Sequence, residues 1–473
     1  MTMQSVGIAT ANSPPKPGAA RTRLLLEGPI VSTLLRLAAP NLVVNVVLIA
    51  VTTSIDAYFV GQLGVDALAG LSLVFPMMML MQQMANSSMG GAIAAAVARA
   101  IGAGRRHDAA ALVVHAVVIG CAAAALFTAV FVLAGPSLYR VLGGRGLILD
   151  AALEYSNAIF AGAVAYWVLS ALTSAVRGTG QVALLAWVYL GAEVLHVVLV
   201  PTLVFGLGPV PSLGISGAGI ATVTSFTASS AVLAWYLASG RAAVRLSLGD
   251  LGFSRRLFRE ILRVGAPMSL QPIFNNLALA AITAYASLLG ATALAGFGVA
   301  VRLEYLLYPI VFGVGAAVLA MVGTNIGARQ YERAARIAWI ATGLSACVMA
   351  TLGLLVIAWP GAWTGLFSDD PAVHAAAASY LCIVGLAYVF VAPNTLISAF
   401  QSTGQPQFPL LASGARLVVV VAGGWIAFRV GGATPEGLGI VTAAGLAVMG
   451  TILAVSFRRY ARLHPPAVER SSR

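Results

Sequence analysis

The sequence predicts an all-α integral membrane protein of twelve transmembrane helices, arranged as two parallel-repeat lobes of six. Three observations carry that expectation. First, 60% of the 473 residues are hydrophobic and 9% charged, with a mean hydropathy of +0.93, so a soluble surface could not be covered. Second, apolar runs of bilayer-spanning length recur over 34–60, 67–98, 109–134, 147–175, 183–207, 215–239, 260–289, 292–324, 334–361, 373–400, 408–430 and 436–457. They are continuous and do not alternate, which selects helices over barrel strands. Third, the last six runs repeat the first six. Leu35-Arg36-Leu37-Ala38-Ala39-Pro40 returns as Leu262-Arg263-Val264-Gly265-Ala266-Pro267 at an offset of 227, and Ala67-Leu68-Ala69-Gly70 returns as Ala293-Leu294-Ala295-Gly296 at 226. Ile101-Gly102-Ala103 returns as Ile326-Gly327-Ala328 at 225, and Thr179-Gly180-Gln181 as Thr403-Gly404-Gln405 at 224.

Along the chain, residues 1–33 are an N-terminal tail, and 1–23, with Ser13-Pro14-Pro15-Lys16-Pro17-Gly18 and no apolar core, read as disordered and not as a signal peptide. Residues 34–240 form the N-lobe and 260–457 the C-lobe. Between them, 241–259 is a basic linker whose stretch Phe253–Phe258 reads as a short interfacial helix, and 458–473 is a C-terminal tail. Each lobe has a proline near the start of its first span (Pro40, Pro267) and another in or near its second (Pro76, Pro309). Such a proline frees a backbone carbonyl and permits a bend, either a fixed kink or a gate. Cys121, Cys347 and Cys382 have neither metal nor disulfide spacing and are expected as buried small hydrophobes.

The net charge of +12 is distributed by side. Of 27 basic residues, 22 fall in the tails, at the start of the first span or in alternate loops, while the opposite loops hold only Arg140, Arg145 and Arg429 with acids such as Asp66, Asp150, Asp369 and Asp370. Arg302 and Arg416 lie inside spans. This positive-inside asymmetry predicts both termini in the cytoplasm. The loop arginines lack interleaved aromatics, which speaks against nucleic acid as a partner.

An even number of spans per half makes the repeats parallel, and duplicated hydrophobic halves are the arrangement by which transporters expose one site to alternating sides. An integral membrane enzyme would need a concentrated site, and only Glu193-x-x-His196 comes near one, without partners at metal spacing. A passive channel fits a ring of identical pores better than a duplicated even-span bundle.

The motifs resemble those of the MATE (multidrug and toxic compound extrusion) transporters. The matching stretches are Ile55-Asp56-Ala57-Tyr58-Phe59-Val60-Gly61-Gln62-Leu63-Gly64, Ile101-Gly102-Ala103-Gly104-Arg105, Arg177-Gly178-Thr179-Gly180-Gln181, Leu213-Gly214-Ile215-Ser216-Gly217-Ala218-Gly219-Ile220-Ala221-Thr222, Arg302-Leu303-Glu304 and Val322-Gly323-Thr324-Asn325-Ile326-Gly327-Ala328. The resemblance implies a two-lobed exporter in the bacterial inner membrane. It would exchange small organic, often cationic, compounds for protons or sodium, with no cofactor, a lipid surround and a monomeric state. A flippase for lipid-linked saccharides is the alternative within the superfamily; it would have fourteen spans or a markedly basic cavity.

Charges inside spans are the natural carriers of transport, because each costs about 2.5–3.5 kcal/mol on insertion scales. Asp56, in the outer third of the first span, can hold a proton, a sodium ion or a cationic substrate; a headgroup-level aspartate is the plain alternative. The resemblance makes Asp56 a coupling residue. Glu193 and His196 share one face of the fifth span, either as a proton relay or as a structural pair, with Tyr189 one turn earlier. One branch of the family has asparagine where His196 stands and aspartate where Val200 stands, so Glu193 is expected to replace the missing acid. Thr222 keeps that branch's hydroxyl. The acids of the sodium-coupled branch would fall at Asn275 and Ala392, which favours protons over sodium. The cavity is expected to be lined by Tyr58, Gln82, Asn86, Asn275, Arg302, Glu304 and Asn394. Gln82 and Asn86 share a polar stripe of the methionine-rich stretch Met77–Asn86, while Arg302 and Glu304, at i and i+2, face different ways. Tyr58, Tyr166, Tyr305 and Tyr308 are candidates for stacking on an organic cation or for interfacial anchoring.

Overall fold

The computed structural model describes residues 17–208, 211–240, 242, 244, 253–367, 369–430 and 434–463; the side chains of 17–19, 41, 43–54, 306, 308 and 463 lie outside the description. A leading helix α1 (Pro17–Glu27) precedes α2 (Ile30–Gly61). The N-lobe continues with α3 (Val65–Gln83), which runs through a π-helical turn (Met84–Met89) into α4 (Gly90–Gly102), then α5 (Arg106–Val141), α6 (Gly146–Ala161), α7 (Ala163–Gly178), α8 (Val182–Phe205) and α9 (Gly214–Ala238). The C-lobe has α10 (Arg255–Met268), α11 (Leu270–Leu288), α12 (Ala291–Gly327), α13 (Tyr331–Ala358) and the short α14 (Pro360–Thr364). It ends with α15 (Pro371–Ala387), which passes through a 3-10 stretch (Tyr388–Asn394) into α16 (Thr395–Thr403), then α17 (Gln407–Val430) and α18 (Pro435–Leu463).

Among the described residues nine helical runs are long and apolar enough to cross a bilayer, and α6–α7, bent by 45° at Gly162, make a tenth. With α2 and the broken pair α10–α11 this gives the twelve helices of the sequence reading, six per lobe. The bends are only partly where proline predicts them. Pro40, Pro76 and Pro309 sit inside continuous helices, while the breaks fall at Gly162 and Ser269 and in the π and 3-10 turns.

The lobes exchange their leading segments. Leu34, Leu37 and Ala38 at the start of α2, with Leu25 of α1, join a core cluster made largely of α12, α13, α16 and α18 residues. Reciprocally, Leu257 and Ile261 of α10 join the N-lobe core. The linker is tied to α5: the Ser254 backbone N–H donates to His115 Nε2 at 2.9 Å and Arg256 Nη2 donates to Asp108 Oδ2 at 2.8 Å, a contact that holds the Arg256 guanidinium above its usual range. Most of the linker, 245–252, lies outside the described residues.

Two sequence expectations need correction. Residues 17–23 are not disordered but form most of α1, which is held because Asn325 Nδ2 donates to the Leu25 carbonyl at 3.0 Å and Arg333 donates to the Gly28 carbonyl. The cysteines are not buried: Cys121 and Cys347 are exposed and Cys382 half-exposed. An apolar setting on a spanning helix specifies burial in lipid as readily as in protein.

At the end of the bundle that carries both termini the lobes are sealed. A Cβ on Gly102 would stand 1.9 Å from the Thr324 carbonyl oxygen, and one on Gly327 2.1 Å from that of Arg99, so α4 and α12 meet there backbone to backbone. Arg99 bridges the seam: Nη1 donates to the carbonyls of Gln401 at 3.3 Å and Ser402 at 3.0 Å, and Nη2 to Glu260 Oε1 at 3.1 Å. Higher up, Gln401 Nε2 donates to the Ser87 carbonyl at 2.9 Å.

Candidate functional site

Asp56 lies near the C-terminal end of α2 and is only 6% exposed. α8 runs alongside and brings His196, 3% exposed, to face it, with Nε2 placed 3.0 Å from Asp56 Oδ1. In the tautomer with its proton on Nε2, the imidazole donates to the carboxylate between two helices, away from water, where charge assistance is strong. The Ala221 backbone on α9 is a further hydrogen-bond partner of the ring. Glu193, one turn back on α8 and also buried, adds its charge to the surroundings of His196. Tyr155 on α6 is buried within reach of the charge of Asp56 and points its hydroxyl at Met78 Sδ, 3.9 Å away. Thr222 is buried close by on α9, where its hydroxyl donates to the Ala218 carbonyl at 3.1 Å. A carboxylate, an imidazole and a second carboxylate in a dry setting can pass or hold a proton.

The remaining candidates do not converge on that point. Asn86, on the π-helical turn, accepts a 2.7 Å hydrogen bond from Arg177 Nη2, while Gln82, one turn earlier, is half-buried. Tyr58 is 65% exposed and meets Phe59 edge-on. In the C-lobe, Asn275 and Asn394 each keep a buried Oδ1 without a hydrogen-bond partner among the described residues. Arg302 is exposed and lies over the Phe367 ring, 5.2 Å from its centroid, while Glu304 accepts from the Tyr380 hydroxyl at 3.1 Å and has Arg416 near. Tyr305 is exposed, and the side chain of Tyr308 lies outside the described residues.

Sequence reasoning missed three features. It paired His196 with Glu193, whereas the partner at hydrogen-bond distance is Asp56, 140 residues away. It left out Tyr155 and Tyr380, although the repeat offset of 225 relates them and both are buried; their hydroxyls meet Met78 and Glu304, themselves related at 226. It also counted Arg177 as a loop arginine, whereas the last turn of α7 buries it to 4% exposure.

Two repeated six-helix membrane-spanning lobes, the first of which buries an acid–imidazole pair between α2 and α8, are the architecture of a membrane transporter. The MatE family model matches residues 42–202 and 267–426, one match in each lobe, and the chain belongs to that family. It is 25% identical over 401 residues to a FAD transporter of Shewanella oneidensis, covering 84% of this chain and 88% of that one. It is 27% identical to a probable multidrug resistance protein NorM of Thermotoga maritima (66% of this chain, 68% of that one) and 29% identical to that of Deinococcus radiodurans (66% and 70%). Among solved structures, a MATE transporter in its bent conformation superposes with a TM-score of 0.87 at 24% identity, over 94% of this chain and 98% of that one. The outward-facing conformation of a multidrug resistance MATE family transporter gives 0.85, also at 24% identity, over 93% and 98%.

Proposed function

We propose that the protein exports small organic compounds, organic cations among them, in exchange for protons, by rocking of its two lobes in a bacterial inner membrane. The observation that carries the reading is the 3.0 Å contact between Asp56 and His196, buried between α2 and α8. A proton arriving at Asp56 cancels the charge that His196 pairs with and weakens the hold of α8 on α2. Because the start of α2 packs in the C-lobe, a shift of α2 against α8 moves one lobe relative to the other. Glu193, one turn along α8, receives or supplies the proton. Differential affinity of the two states for proton and substrate is what couples their movements.

Protons are preferred to sodium because the buried acid meets an imidazole, a proton acceptor, where a sodium site would gather several oxygens. The basic loops support both termini in the cytoplasm, and on that reading the seal at Gly102 and Gly327 is the cytoplasmic one. The names of the relatives, multidrug resistance proteins and a FAD transporter, support organic compounds of some size as cargo. The test is ethidium export from proteoliposomes under a defined proton or sodium gradient. Export driven by the proton gradient in the wild type, and lost in Asp56→Asn, is expected; export driven only by sodium, or unaltered in the variant, refutes the reading.

A further inference from the structure

Among the described residues Arg177 and Arg416 are buried between helices and Arg99 is half-buried there, and two of the three have a carboxylate. Arg99 has Glu260 together with two backbone carbonyls, and Arg416 lies beside Glu304. Arg177 has only neutral partners among the described residues: the Asn86 amide oxygen at 2.7 Å, the Tyr189 hydroxyl, and the face of Phe312 with its centroid 5.4 Å from the guanidinium carbon. A guanidinium taken out of water without a counter-charge is costly and is not kept for packing alone. Its place in the fold is specific. By the repeat, Asn86 corresponds to Phe312 at an offset of 226 and Arg177 to Gln401 at 224, so these residues, two from each lobe, meet where the halves face each other. The seam that closes the lobes runs from Ser87–Gln401 down to Gly102–Thr324, about 20 Å of helix, and Arg177 sits at its upper end. Asn86, Tyr166, Tyr189 and Phe312 around it are half-buried, so the cluster presents aromatic edges and an amide.

We propose that Arg177 is the floor of the substrate site and takes an anionic oxygen group, phosphate or carboxylate, of an aromatic compound whose ring lies among Tyr166, Tyr189 and Phe312. The guanidinium supplies a planar fork matched to such a group, and the incoming oxygen takes the place of the Asn86 amide on Nη2. This deepens the export reading and rests on it: cargo then includes compounds that carry negative charge, in addition to organic cations.

The experiment measures fluorescence-detected binding to the full-length protein in nanodiscs for two matched pairs, riboflavin against flavin mononucleotide and 7-hydroxycoumarin against its 3-carboxylate. In the wild type the charged member of at least one pair binds about ten-fold tighter, the size of a charge-assisted hydrogen bond. Arg177→Gln removes that preference and leaves the affinity of the uncharged member within two-fold; Arg177→Lys keeps part of it. Equal affinity within both pairs, binding of neither member of either pair, or a preference that survives in Arg177→Gln overturns the assignment. Ethidium export under a proton gradient is measured on the wild type reconstituted into proteoliposomes, and folding of the variants by their melting temperature in the nanodiscs. A melting temperature of Arg177→Gln close to that of the wild type shows that the variant folds, and absence of export in the wild type defeats the export reading separately from the binding result.

Discussion

The contact between Asp56 and His196 predicts a measurable coupling energy. Both side chains are nearly inaccessible, at 6% and 3% exposure, so salt and water screen the interaction little. At 3.0 Å, with an ionised acceptor, the bond belongs to the charge-assisted class, about 1.5–3 kcal/mol. Asp56→Asn keeps the shape and removes the charge; His196→Gln keeps a donor and removes the titrating ring. A double-mutant cycle on unfolding free energy in mixed micelles at pH 7 should return an interaction energy of about 1.5–3 kcal/mol. The same energy, divided by 1.4 kcal/mol per decade, corresponds to about a 10- to 150-fold change in the balance of two conformations if the bond exists in only one of them. Asp56→Asn should therefore behave as a permanently protonated form, with ethidium export insensitive to an imposed pH gradient. A cycle energy below about 0.5 kcal/mol, the additivity expected of independent sites, would refute the pairing as the coupling element.

Three further outcomes follow from the same geometry. Glu193→Gln, read in the proteoliposome assay, should reduce pH-driven export several-fold without abolishing ethidium binding, and unchanged export would remove Glu193 from the proton route. Arg99→Gln deletes a partly exposed bridge between the lobes, 16% and 23% exposed at its two ends and so worth about 1 kcal/mol. With Cys121, Cys347 and Cys382 replaced by serine, maleimide labelling of a cysteine placed at the fully buried Ala98 should rise about five-fold in that variant, and equal labelling would mean that the seal does not depend on the bridge. Gly102→Ala puts a methyl carbon 1.9 Å from the Thr324 carbonyl oxygen, so the sealed end must open; the same labelling should increase by more than in Arg99→Gln, and a smaller response would refute the close-approach argument.

The fold was readable because bilayer length and duplication are properties of the chain itself: each run of twenty apolar residues declares a helix, and the offset of about 225 declares two lobes. That Asp56, Glu193, His196 and Thr222 lie inside spans was readable for the related reason that polar groups there are few. Their pairing was not. Periodicity gives the face of α8 on which His196 lies, yet it carries nothing about which neighbouring helix that face meets, and Glu193 was the only partner visible locally. The burial of Arg177 was hidden in the same way. An arginine beside Gly178-Thr179-Gly180 looks like a loop residue, and only the packing of α7 against α4 and α9 encloses it. The π-helical turn at Met84–Met89 has no periodic signature at all, because one extra residue per turn alters hydrogen bonding without altering composition.

For the proposed exchange, the placement of these groups along α8 supplies a reason for proton and cargo to affect one another. Tyr189, which holds Arg177, and His196, which holds Asp56, are seven residues apart on one face, about 10 Å along a rigid helix, with Glu193 between them. A displacement of α8 that breaks the contact at Asp56 therefore shifts Tyr189 relative to Arg177, which Phe312 of α12 covers from the other lobe. A substrate that draws Arg177 away from Asn86 pulls on the same helix from its other end. Because coupling of binding free energies is reciprocal, whatever factor a proton at Asp56 imposes on substrate affinity, substrate must impose on the affinity of Asp56 for its proton. One stiff element carrying both contacts meets that requirement without any relay of side chains across the remaining bundle.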